Sequence, residues 1–99
     1  MNEENQRIFD AAIKEANANQ DEVIKDTFKA CTSDYELQKA YKVLVDGIAL
    51  SAATVTNKFL EMGGKHENLD TVGLRWFDER IATLNTLFAD AGQRFATAH

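Results

Sequence analysis

Along the last third of the chain, Leu74, Phe77, Ile81, Leu84, Phe88, Ala91, Phe95 and Ala98 recur at alternating intervals of three and four residues. Such spacing lays an apolar stripe along one face of an α-helix. Asp70 stands where it can cap the start, with Leu69 placed to pack on Leu74 as a hydrophobic staple. The pattern predicts a helix over 71–97. The middle third repeats it. Leu37, Tyr41, Leu44, Ile48, Ser51, Val55, Lys58 and Met62 step by four and three, and Ala52 and Phe59 keep the stripe apolar where Ser51 and Lys58 interrupt it. Ser33 and Glu36 form an S-x-x-E capping box, and Gly63-Gly64 supply the left-handed backbone that ends a helix. A second helix over 33–62 follows, with Gly47 inside it at a cost of ~1 kcal/mol relative to alanine. A connection as short as Gly63 to Leu69 leaves antiparallel packing as the simple arrangement.

The first third admits two readings. Phe9, Ala12, Ile13 and Ala16 share one helical face, as do Ile24, Phe28 and Cys31. Between them, Asn19 can cap a second helix with Glu22 three residues on, and Ala18 can pack on Val23. Against a break, there is no Gly or Pro here, and Phe9, Ile13, Ala16, Gln20, Val23 and Thr27 hold a heptad phase across the join. Asparagine's poor fit to helix interiors tips the reading towards a break near Asn19. The expected fold is therefore all-α: an antiparallel bundle of three or four helices on a long hairpin, in a single domain over 1–99. No repeat or linker interrupts it.

The middle helix has more apolar side chains than one seam uses. Val43, Leu50, Ala53 and Leu60 define a second stripe, interrupted by Asp46 and Asn57, and Val45, Ala49 and Ala52 fill the arc between the two. A helix apolar nearly all round is buried on more than one side. Either the N-terminal segment covers this stripe or a partner does, a second copy or another protein. Trp76, beside Arg75 and off the main seam, is a further candidate, because tryptophan and arginine are frequent anchors at binding surfaces. The candidate interface is Val43, Leu50, Ala53, Leu60 and Trp76. Ala82, Ala89 and Ala96, seven apart, would let another helix approach closely.

Charge and composition narrow the choices. The chain carries 16 acidic and 11 basic side chains, net −5, with no clustered basic face to hold a phosphate backbone, so direct nucleic-acid binding is not expected. Cys31 is the single cysteine, and the acidic start MNEENQRIFD is unlike a secretion signal. The nearly uncharged run 43–57 is shorter than the ~20 residues of a membrane span. These features suggest a cytoplasmic protein without a membrane partner.

Chemistry is sparse. His66 and His99 are the two histidines, and no His-x-x-x-His, Glu-x-x-His or Cys-x-x-Cys spacing occurs, so no metal or cofactor is expected. Gly63-Gly64-Lys65 closes a helix, where the dipole repels anions, whereas a phosphate loop opens one. Cys31 lacks an activating base in its sequence surroundings and reads as a core residue. No catalytic constellation emerges, and the chain is not expected to be an enzyme. The hairpin differs from that of the small secreted helical proteins with a Trp-x-Gly turn, since Gly63-Gly64-Lys65-His66 occupies the turn and Phe77-Asp78 follow Trp76. In size and charge the chain is similar to small acidic helical proteins of phages and plasmids that inhibit host defence or neutralise toxins.

Three roles fit these features. The first is a non-catalytic protein–protein interaction module, self-associating through apolar helix faces. The second is an inhibitor or immunity-type protein masking a basic target surface, which requires Asp21, Glu22, Asp26, Asp34 and Glu36 to share one face. The third is a ligand-sequestering oligomer using Tyr41, Trp76, Lys42 and Arg75.

Overall fold

The computed structural model describes residues 1–96, the side chain of Leu69 excepted. Among these residues the fold has three α-helices, each described over 28 residues, α1 (Glu3–Ala30), α2 (Asp34–Glu61) and α3 (Leu69–Ala96), with a 3₁₀ turn, His66–Asn68, before α3. The expected end of α3 at Thr97 and the last stripe residue, Ala98, lie outside the described residues, as does His99.

Helices α2 and α3 form the predicted hairpin. Leu37, Ile48 and Val55 of α2 and Leu84 of α3 are buried, and Tyr41, Leu44, Phe77, Ile81, Phe88, Ala91 and Phe95 pack against them. The Tyr41 hydroxyl donates to Asn85 Oδ1 at 2.6 Å, across the seam. At the turn, Gly63 takes φ +91°; its N–H donates to the Leu60 carbonyl, and that of Gly64 to Phe59. This is a Schellman motif. Gly64 also lies against the Phe59 ring, so closely that a β-carbon there would overlap it. Farther along, a β-carbon on the buried Gly73 would come within 2.6 Å of Thr56 Oγ1. Thr56 cannot simply turn away, since that hydroxyl already donates to the Ala52 carbonyl at 2.9 Å.

Helix α1 runs antiparallel to α2 and parallel to α3. Phe9 meets Phe59 edge-on with ring centroids 5.7 Å apart, and Phe28 meets Phe88 at 5.9 Å. Each end of α1 is tied to the hairpin. Asn5 Nδ2 donates to the Met62 carbonyl, the cap of α2, and the Arg94 guanidinium donates to the carbonyls of Phe28, Lys29 and Cys31. A cation over the final carbonyls of a helix satisfies acceptors that lack intrahelical partners and opposes the dipole.

The expected break near Asn19 does not occur; α1 is continuous and the bundle has three helices. Its inward face is Phe9, Ile13, Asn17, Gln20, Ile24 and Phe28, rotated from the predicted phase, so that Ala16 and Val23 are exposed. Of the polar residues around the expected break, Asn17, Gln20 and Asp21 face α3, where they meet hydrogen-bonding partners, whereas Asn19 and Glu22 are exposed. Two end signals are corrected as well. Asp70 is not the cap of α3, because the preceding 3₁₀ turn starts the helix at Leu69; Leu74 is 61% exposed, and the side chain of Leu69, its expected staple partner, lies outside the described residues. In the capping box, Ser33 Oγ accepts from the Glu36 N–H as expected, but the Glu36 carboxylate turns to the N–H and hydroxyl of Thr32.

Two predictions follow from the backbone. Gly73→Ala should destabilise the bundle by ~1–3 kcal/mol through overpacking on Thr56, whereas Gly47→Ala, exposed and with open space around it, should gain up to ~1 kcal/mol. Thermal unfolding of dilute protein separates the two signs. The Thr32 hydrogen bonds hold the Glu36 carboxyl below its usual value. A carboxylate lowered in the folded state stabilises it above the ordinary carboxylate range, and that contribution disappears as pH falls through the lowered value. The Thr32 amide resonance should therefore titrate below the usual carboxylate range, and Glu36→Gln should abolish the titration.

Candidate interaction face

The side of α2 turned away from α1 carries the second apolar stripe into solvent. Val43 is 70% exposed and Leu50 74%; Asp46, Ala53 and Asn57 are also exposed, and Leu60 is half-buried. Helix α1 thus does not cover this stripe. Beside it, between α2 and α3, runs an open groove of about 460 Å³ lined by Ala49, Ala52, Ala53 and Thr56 on one wall and Asp70, Gly73, Leu74 and Phe77 on the other. The groove exists because these positions are small: the helices approach at Gly73, and alanines leave the wall shallow. The exposed Leu74 contributes an apolar side chain to the groove, and Asp70 a carboxylate. Burying such surface is favourable by ~25 cal/mol per Å² removed from water.

Trp76 does not belong to this face. It is 7% exposed and lies on the opposite side of α3, where its indole Nε1 donates to Asn17 Oδ1 of α1 at 2.9 Å. One turn further on, Arg80, 5% exposed, donates to Gln20 Oε1 and pairs with Asp21. A buried guanidinium is tolerable only when its donors find acceptors. Gln20 and Asp21 are those acceptors, and with Asn17 accepting from the indole they account for the polar stretch at the middle of α1. The candidate interface therefore reduces to Val43, Leu50, Ala53 and Leu60, and Leu74 joins it as a residue that heptad assignment had placed inside.

Of the acidic set, Asp21 turns inward to Arg80, whereas Glu22, Asp26, Asp34 and Glu36 are exposed; Glu36 is engaged by Thr32, Asp34 accepts from Gln38, and Glu22 approaches Lys25 at 4.0 Å. Tyr41 is bound to Asn85 and stacks on Phe88, Arg75 pairs with Glu79 on the surface, and Trp76 is buried against α1, so the structure does not gather them. Cys31 is half-buried at the end of α1, its thiol donating to the Thr27 carbonyl. A smaller cavity of about 260 Å³ lies among Lys25, Phe28, Lys29, Leu87 and Arg94, and Arg94 is engaged there with the carbonyls ending α1. Among the described residues, no three His, Cys, Asp or Glu side chains are grouped to hold a metal ion. By length and composition α2 is apolar enough to cross a membrane, and most of it is not buried within the bundle.

No family model matches the chain, and no curated protein or solved structure is significantly similar to it.

The Arg80 cluster yields a stability prediction. Asp21→Ala should cost ~1–3 kcal/mol by leaving a buried donor short of an acceptor. Adding Arg80→Met should recover most of that loss, since a buried ion pair is replaceable by apolar volume. Chemical denaturation of both variants checks it; a double variant less stable than the single one contradicts the assignment.

Proposed function

We propose that the chain is a non-catalytic protein–protein interaction module that associates with itself through the outer face of α2. One observation carries this reading: Val43 and Leu50 stand in solvent beside an apolar groove that the chain's own helices leave uncovered. Contiguous apolar patches rimmed by polar residues are characteristic of surfaces that bind other macromolecules. The face is also poor in charge. Asp46 is the lone ionisable residue of α2 between Lys42 and Lys58, and Asp70 is the one charged side chain lining the groove, so little desolvation opposes burial.

Sedimentation equilibrium tests the reading. The wild-type chain should show a concentration-dependent approach to twice its 11.1 kDa mass. Leu50→Glu should remain monomeric with an unchanged helical circular dichroism spectrum, because Leu50 contributes nothing to the internal core. A wild type that stays monomeric to millimolar concentration contradicts self-association.

A further inference from the structure

The outer stripe of α2 reads the same in both directions. Val43, Asp46, Leu50, Ala53, Asn57 and Leu60 run apolar, polar, apolar, apolar, polar, apolar, at intervals of three and four residues. Taken as successive a and d positions of a helical seam, they are arranged symmetrically about a point between Leu50 and Ala53. The geometry points to an antiparallel two-fold dimer of this chain, in which α2 of one copy packs on α2 of the other about that point; this rests on the outer face of α2 being an interaction surface.

In that register Val43 meets Leu60 of the second copy, Leu50 meets Ala53, and Asp46 meets Asn57. A two-fold interface requires such self-complementarity: if residue i touches j, then j touches i. The large Leu50 falls opposite the small Ala53, at the edge of the apolar groove. The carboxylate of Asp46 faces an amide donor. A parallel pairing would instead set Asp46 against Asp46, a desolvated like-charge contact.

A further observation favours a second copy as the occupant. Gly47 lies in the interior of α2 with nothing within 4 Å of where its β-carbon would be, so no contact inside the chain calls for glycine. In the antiparallel register it lies beside Thr54 of the second copy, and Ala49 lies beside Thr56, so both flanks are small and admit close approach.

Disulfide cross-linking in a Cys31→Ser background tests the register, with wild-type sedimentation run alongside. A mixture of Asp46→Cys and Asn57→Cys chains should give a cross-linked heterodimer on mild oxidation, and so should Val43→Cys mixed with Leu60→Cys. Each variant alone should stay uncross-linked, because like positions are separated by ~16 Å for 46 and 57 and by ~26 Å for 43 and 60, beyond the reach of a disulfide. Asn57→Lys should tighten the wild-type dimer several-fold by facing Asp46. Cross-linking of single variants with themselves, or weakening by Asn57→Lys, overturns the antiparallel register while leaving self-association standing. A dimer by sedimentation that cross-links in no mixture overturns the α2 seam. A strict monomer overturns both, and flotation of that monomer with phosphatidylcholine–phosphatidylglycerol vesicles would reassign the face to lipid.

Discussion

Helix α2 is apolar on more sides than one neighbour can cover, and the rest of the molecule is arranged around that constraint. Its inner stripe is satisfied by α3, drawn close where Gly73 faces Thr56. Burial of Leu37, Ile48 and Leu84 in that seam removes them almost wholly from water, at ~1.5–3 kcal/mol per large aliphatic side chain. Once the inner stripe faces α3, the outer stripe is turned away from it. Whatever else packs on the hairpin must choose a side.

Helix α1 takes the side of Trp76 and Arg80. Its apolar contacts lie towards its two ends, Phe9 on Phe59 and Phe28 on Phe88, and the middle is polar: Asn17 to the indole, Gln20 and Asp21 to the guanidinium. Polar contacts of this kind add little net stability but are costly to mismatch. They fix α1 in register along α3, since a slip of one turn would strand a buried guanidinium. With α1 held there, the bundle is a flat rod of 55 × 20 × 15 Å, and the far side of the hairpin stays open.

The hairpin was legible because its signals are local: alternating three- and four-residue steps, a diglycine turn, and Ser33 capping Glu36. The continuity of α1 was not. Asn17, Asn19, Gln20 and Asp21 look like a helix break from nearby residues alone, and three of them act in the helix through partners about 60 positions away. Trp76 was ambiguous for the same reason, as its partner Asn17 leaves no mark near it in the chain. Leu74 shows the opposite error: it keeps the heptad spacing of the α3 stripe and yet stands at the groove, because Gly73 and Trp76 are the residues buried in that turn of α3. The second stripe of α2 was visible as a pattern, but whether the chain covers it depends on where α1 docks, which is a tertiary fact.

The central claim is that one face of α2 is buried within the chain and the other is left for a second molecule. Solvent paramagnetic relaxation of the Ile48 and Leu50 methyl groups, followed from dilute to concentrated solution, tests it most directly. The Ile48 methyls should be protected at every concentration, and the Leu50 methyls should be strongly relaxed at dilution and become protected as concentration rises. Leu50 methyls already shielded in dilute monomer would mean that the chain covers this face itself, contradicting the account.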